Sequence, residues 1–501
     1  MRSLSAGLLA TLVATAALAG PLLAAEPSGD VRWYSIATDN GIAIGHASRE
    51  IVQDANGREI IESQEDDLGD QGAPSLAVLR LDTPQAVNMS WRSVRREDEA
   101  GRTVSISDHA QVGPDWRNDW SRNEARIGEG RAEISHQTPA ETRLVIVALP
   151  PAVRFDEGDE LLRTWNPATQ PRLEFENFNI DAMAVEHVVI EAVADTPPDP
   201  QGTIAALRKR YAGSELMAVS RLLLDREGRI VQVTQPMFGA SIVIKATDRE
   251  TALHPQLPYR VVPGVMTKSP YRISTSAMQG HIRYRFAFQD GIEFAVPQTG
   301  EQRVTAEPGF ATLDICEDCG PGLPDDAATL ADALKPTAWL QSDSPELEAI
   351  AEPVAKLSVS DAQKMDILRR KTRSVLVRLD FVGHYSALET LSRRSGDCTE
   401  AAVLLAALGR AAGIPTRVAN GLVYSRESYH GISNAFLPHS WTLAWVDGKW
   451  RSFDAALDRF DSTHIALTVG DGDARSLSAA SQLAGLLRWD SMVEVRDQPG
   501  N

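Results

Sequence analysis

Cysteine is scarce in this chain, three residues in 501. Cys316-Glu-Asp-Cys319 is a close pair, but no second CxxC or matching histidine pair accompanies it, so a zinc site lacks half its ligands. Histidine numbers only ten, and His109, His136, His187, His254 and His281 are scattered without metal-ligand spacing. Positive charge is in deficit: 50 Lys and Arg against 68 Asp and Glu leave a formal charge of −18. That balance argues against nucleic acid or an anionic membrane surface as a partner held by general electrostatics. A calcium loop of the Asp-x-Asp-x-Asp-Gly kind is missing, since Asp471-Gly-Asp473 is too short to count. No cofactor is expected. Beyond the N-terminus no apolar run is long enough to cross a bilayer.

What is present begins with Arg2, an apolar run from Leu8 to Leu18, then Gly20-Pro21 and Leu22-Leu-Ala-Ala25. This reads as a secretory signal peptide over 1–25, cleaved after Ala25, with Ala19 as the competing site. No cysteine follows the run, which excludes a lipid anchor at that site. The mature protein is therefore expected to be soluble and periplasmic or secreted, without a stable membrane span. In an oxidising compartment Cys316 and Cys319, in a Gly/Pro-rich loop, read as a small-loop disulfide. The sharper alternative is a redox-active pair; Gly320-Pro321 and the lack of a following helix argue against it. The pairing leaves Cys398 free.

The length allows two or three domains. From 26 to 306 the chain alternates β-rich segments with turns, as at Val31, Ile42, Leu76, Leu144, Val188, Val219, Ile230, Ile242 and Tyr284. Asp54-Ala-Asn-Gly57 and Asp225-Arg-Glu-Gly228 read as hairpin turns, and the acidic residues 64–70 as a solvated loop. A Pro-rich break at 196–200 either divides two sheet modules or is an insertion in one. Trp116 and Trp120, four apart, read as core or interface packing. Residues 307–336, containing the CxxC, read as a linker. Helical signals then start: Ser344 with Pro345 at the first helical position, Ser360 before an apolar face of Ala362, Met365 and Leu368, and Ser386 with Glu389. The expected fold class is α+β: an antiparallel β-rich region of one or two sheets, then a second region over 337–501.

That second region carries the chemistry. Over 395–415, Asp397 and Glu400 form a capping-box pattern, Ala402, Leu405, Leu408 and Ala412 recur at helical spacing, and Gly413 with Pro415 ends the helix. Cys398 falls in the first turn, where unpaired N–H groups and the helix dipole favour a thiolate and can receive an oxyanion. The plain alternative is a small buried apolar residue. Downstream, Asp447-Gly448 separates two aromatic-rich runs and signals a two-residue hairpin. Register then pairs Val446 with Lys449, Trp445 with Trp450, Leu443 with Ser452 and Trp441 with Asp454. His439 comes onto the same face, diagonal to Asp454. A carboxylate there would hold the imidazole tautomer as a triad's third member does.

These blocks, Gly396-Asp-Cys398-Thr-Glu-Ala-Ala, Leu408-Gly-Arg-Ala-Ala-Gly-Ile-Pro-Thr-Arg-Val418, His439-Ser-Trp and Gly448-Lys-Trp-Arg-Ser-Phe-Asp454, resemble the transglutaminase-like core of bacterial secreted proteins. The resemblance covers roughly the last third of the chain and implies a papain-like scaffold, with Cys398 as nucleophile, His439 as general base and acid, and Asp454 as its orienter. The family it implies includes transglutaminases, proteases, amidases and members that have lost activity; the expected partner is a protein or peptide substrate, the cell envelope being one source. His384 and Tyr385 stand where related enzymes place a second oxyanion donor; a helix-start staple is the simpler role for Tyr385. Two other readings stay open: a non-catalytic envelope scaffold that keeps the fold, and a thiol oxidoreductase using Cys316 and Cys319. Hydrolysis and amine transfer use the same residues and are not separated by them.

Overall fold

Alternating burial, with every second side chain turned inward as in Arg131–Gln137, builds the first half of the chain into sheet. The computed structural model describes residues 31–55, 57–70, 86–112, 119–139, 141–193, 203–237, 240–254, 266–379, 384–426, 432–457 and 459–496. The expected signal peptide, the strand around Leu76, Trp116 and the Pro-rich break at 196–200 lie outside these residues. No helix among the described residues is long and apolar enough to cross a membrane.

The described residues divide into two units, those of 31–254 and those of 266–496. In the first unit fourteen described strands make one antiparallel sheet. Eight run outward in chain order from Val31–Thr38 to Thr142–Ala148; six run from Ala240–Thr247 back to Arg172–Asn179. The two series join where Val31–Thr38 pairs with Ala240–Thr247. Strands Ala184–Ala192 and Ile204–Ala212, on either side of 196–200, pair directly with each other. The Pro-rich segment thus joins neighbours in one sheet rather than separating two modules. The sheet returns on itself far enough for Ile106, Ala125 and Ile134 to share a core with Phe178 and Ile180. Inside it, a cavity of about 90 Å³ is lined by Arg49, Glu62, Trp91, Asp108, Asp156 and Asp159 among others. Residues 64–70, expected as a loop, continue strand Gly57–Asp70, because the Asp54–Gly57 turn sets a long ladder with Ala43–Asp54.

The boundary at 306 and the linker over 307–336 need correction. His281–Phe288 pairs with Phe310–Ile315 on one side and with Leu487–Val495 on the other, so these strands belong to the second unit. Cys316 and Cys319 are bonded to each other directly after Phe310–Ile315. Their loop packs on the 439–454 hairpin: Lys449 Nζ donates to Asp318 at 2.8 Å and Arg451 donates to the Glu317 carbonyl at 3.0 Å. A pairing that bridges some two hundred residues leaves no local signature, so the strand pattern alone assigned these segments to the wrong half.

The second unit is built around helix Cys398–Ala411. Every residue from Cys398 to Arg410 is buried. Leu347, Ala351 and Val354 of Pro345–Ala355 and Met365 and Leu368 of Asp361–Val375 pack in one cluster with it, which Val418, Ala444 and Val446 of the sheet share. The Ser344 cap, the Ser360–Gln363 box and the Ser386–Glu389 box all form at the expected helix starts. The sheet beneath runs Thr267–Lys268, Ala435–Val446, Thr416–Ser425, Ile465–Gly470, with Lys449–Phe453 on Ala435–Val446.

Gly421 sits in the middle of that sheet, opposite His439. A Cβ there would lie 1.8 Å from the Ile465 carbonyl oxygen, a backbone atom that cannot swing aside. Gly421→Ala should therefore destabilise the protein by about 3 kcal/mol, the upper range for overpacking, read from the urea midpoint.

Candidate active site

The cysteine helix starts as its capping residues require. Thr399 N–H donates to Asp397 Oδ1 at 2.8 Å, and Asp397 N–H donates to Glu400 Oε2 at 2.9 Å. Glu400 Oε1 also accepts from Tyr385 N–H at 3.1 Å. Cys398 is the first helical residue, two positions after Gly396, where a Cβ would meet Glu400 Cβ at 2.4 Å. The Asp397 and Thr399 N–H groups are thus spent on the cap and do not face a substrate oxygen. His384 Nε2 lies 2.7 Å from the Gly472 carbonyl and its ring stacks on Trp339 at 4.4 Å. Its Nδ1 lies 3.8 Å from Glu400 Oε1, so the ring is packed among Trp339, Gly472 and the helix cap.

The expected thiolate is not what the surroundings favour. Cys398 is 1 % exposed and packs with Met266, Val423, Ala435 and Leu437. Burial pushes the thiol well above its ordinary value, the negative charge of Asp397 pushes the same way, and a hydrogen bond from Ser440 N–H to the sulfur opposes them only partly. Burial also raises the Asp397 carboxyl and holds Glu400 up at about 7. Desolvation outweighs the helix dipole. Native protein should accordingly be alkylated by iodoacetamide at pH 7.5 at least about tenfold more slowly than an unfolded thiol, whose pKa is ~8.5, and faster only above that pH; mass spectrometry of the Cys398 peptide measures it.

The Asp447-Gly448 turn has positive φ at both residues, 51° and 80°, as a two-residue hairpin turn demands. Pairing follows Val446 with Lys449, Trp445 with Trp450 and Leu443 with Ser452, and ends at Thr442 with Phe453. Asp454 therefore lies one residue past the ladder. His439 Nε2 is 2.8 Å from Asp454 Oδ2, both side chains being fully buried. Its other nitrogen, Nδ1, is buried and has no hydrogen-bond partner among the described residues. Cys398 packs with Leu437, two residues before His439 on the same strand. Two further bonds fasten the histidine strand: Ser440 Oγ to Asn420 Oδ1 at 2.7 Å, and Thr442 Oγ1 to the Ala402 carbonyl of the cysteine helix at 3.0 Å.

Asp454 is held on all sides. Oδ1 accepts from Ala456 N–H at 2.7 Å and Leu457 N–H at 2.8 Å, and Oδ2 accepts from a second imidazole, His464 Nε2, at 3.1 Å. Burial would raise this carboxyl; the charge and hydrogen bond of His439, with those of His464, overcome it and hold the group far below the usual carboxylate range. His464 was not legible in the sequence. Its neighbours 461–463 form an Asp-x-Thr turn, Thr463 N–H donating to Asp461 Oδ1 at 2.9 Å, but what the following strand pairs with decides where the ring goes. Among the described residues His439, Asp454 and His464 are the group whose side-chain atoms come close enough for a metal ion, within 4.8 Å, and those atoms are engaged with one another. A cavity of about 610 Å³ lies beside the hairpin, lined by Glu301, Arg451, Phe453, Phe460 and Asp461 among others.

Residues 349–455 match the transglutaminase-like superfamily, so the Cys398 helix and the His439–Asp454 hairpin fall within a transglutaminase-like core. No curated protein matches the chain. Solved structures similar to it include a candidate cysteine protease from Cytophaga hutchinsonii, 17 % identical over 43 % of this chain and 86 % of that one, TM-score 0.27. A β-barrel-like protein of a domain of unknown function from Brucella abortus is 13 % identical over 44 % of this chain and 95 % of that one, TM-score 0.32. A candidate protease from Parabacteroides distasonis ATCC 8503 is 11 % identical over 85 % of this chain and 67 % of that one, TM-score 0.19.

Proposed function

We propose that this is an exported cysteine hydrolase or acyltransferase that opens amide bonds of protein or peptide substrates through Cys398, His439 and Asp454. The observation that carries the reading is the orientation of His439: Asp454 takes Nε2, leaving Nδ1 buried and without a hydrogen-bond partner among the described residues, on the strand whose Leu437 packs against the thiol. With its proton on Nε2, the ring offers a lone pair at Nδ1. Nδ1 removes the Cys398 proton as sulfur attacks the carbonyl carbon, because the buried thiol is neutral until then. Collapse of the tetrahedral adduct breaks the C–N bond, and the imidazolium returns the proton to the departing amine. Water or a second amine, deprotonated by His439, then releases the acyl group from sulfur. Export rests on the apolar N-terminal segment, Leu8 to Leu18, read as a signal peptide.

The test incubates the mature wild type, C398A and H439A with casein and dansylcadaverine, and with envelope protein and murein fractions. New amine termini or amine incorporation found with wild type alone support the reading; equal products with all three overturn it. One observation favours the scaffold reading instead: the sulfur is 1 % exposed in an apolar cluster. That reading predicts no product in any fraction and no covalent trapping by a peptidyl vinyl sulfone.

A further inference from the structure

The Asp454 carboxylate lies between two imidazoles, and a base-orienting role for Asp454 uses only one of them. His464 stands just before strand Ile465–Gly470, completely buried, with Nε2 3.1 Å from Asp454 Oδ2. Its Nδ1 faces the Asp461 carbonyl at 3.0 Å and Asp461 Oδ1 at 3.3 Å, with Asp461 N–H also at 3.3 Å. Two anionic groups thus address the two ends of one ring, and a carboxylate can only accept. Three rings fix its plane: Trp441 edge-on at 5.1 Å, Phe460 at 4.8 Å and His439 at 5.4 Å. Among the described residues, Tyr284, whose hydroxyl donates to the Ser462 carbonyl, is a further titratable group near this turn, and Arg459, Glu301 and Arg451 line the same cavity as Asp461.

We propose that His464 is a positioning residue of this site: an imidazolium that pins Asp454 Oδ2 from the far side and shares its charge, so that the carboxylate is fixed where it aligns His439. This rests on the reading in which Cys398 and His439 act together. Burial by itself would discharge the His464 ring; the hydrogen bonds to Asp454 and Asp461 prevail and raise it to about 9. The array runs Cys398, His439, Asp454, His464, and its outer cation is constant through neutral pH. Loss of that cation leaves the full carboxylate charge to His439. Proton removal from the thiol then sets in at higher pH.

The measurement is the second-order rate of Cys398 alkylation by iodoacetamide from pH 5 to 10, in wild type, H439A, H464Q and H464N. H464Q keeps an amide donor for Asp454 but no charge. Its acid limb should move up by about one pH unit, the effect of losing one close charge, with the high-pH rate within about threefold of wild type. A uniform loss at all pH values without a shift, or a profile that superimposes on wild type, overturns the proposal. If H439A leaves the profile unchanged, the cysteine–histidine reading fails as well; if H439A alters it and H464Q does not, only this inference fails. Histidine ¹⁵N NMR of wild type decides independently of whether either variant folds. A resonance with both nitrogens protonated at pH 7.5, lost in a His464 variant or in D454N, supports it. All ten imidazoles neutral at that pH, or a stoichiometric zinc ion that H464Q no longer retains, overturns it.

Discussion

Asp454→Ala should cost the protein about 3–5 kcal/mol, the range for removing one partner of a buried charged pair, and with it all activity through Cys398. The size follows from what the carboxylate holds. Its two oxygens accept four hydrogen bonds, from His439, His464, Ala456 and Leu457, in a place of zero exposure. Alanine orphans four donors at once, two of them ring N–H groups that no solvent reaches. Urea unfolding followed by tryptophan fluorescence measures the loss, since Trp441 packs on both histidines. Asp454→Asn separates folding from chemistry. The amide oxygen still accepts from the Ala456 and Leu457 N–H groups, while its NH₂ faces two ring nitrogens and favours the wrong tautomer of His439. The expected outcome is a smaller loss of stability and about a 10⁴-fold loss of turnover, the effect of amidating a triad carboxylate. Turnover in D454N within a few-fold of wild type would remove Asp454 from the mechanism.

Raising the pH through 9 should destabilise wild type more than H464Q. His464 is raised in the folded state, to about 9 from an ordinary 6.5. A raised imidazole adds stability that is complete below the unfolded pKa and disappears as pH climbs through the folded one. At 1.36 kcal/mol per unit the contribution is about 3 kcal/mol, worth about 6–12 °C in a domain of this size. Asp454, depressed by the same contact, acts in the opposite window: its share is present above the ordinary carboxylate range and is lost toward strong acid. Because the two residues share one hydrogen bond, their shares do not add. Thermal melts of wild type and H464Q from pH 5 to 10 should converge at the alkaline end. Asp397 and Glu400, which do not touch His464, titrate in both proteins and cancel in the difference. Parallel curves across the whole range would show that His464 carries no charge worth the name.

Much of the site was legible because its signals are local. Asp397 and Glu400 bracket Cys398 at the spacing of a capping box, and backbone N–H groups within one turn are all that motif needs. Asp447-Gly448 accepts positive φ at both positions, and with the turn settled the side-chain period of two dictates which residues of the hairpin share a face. That is why His439 and Asp454 could be set side by side from the turn alone.

Elsewhere the amino-acid order is silent for a definite reason. The thiol's protonation depends on a balance between helix dipole and desolvation, and desolvation is supplied by Met266, Val423, Ala435 and Leu437, from distant parts of the chain. The domain boundary depends on His281–Phe288 pairing with Leu487–Val495. The second imidazole on Asp454 depends on Ile465–Gly470 lying beside Thr416–Ser425, made possible where Gly421 lets two backbones close to contact. Caps, turns and alternation are set by forces that act over a few residues, and the residue order alone determined them. Charge state, boundary and the partner on the far side of the carboxylate are set by which surfaces exclude water together, and only the tertiary structure decided those.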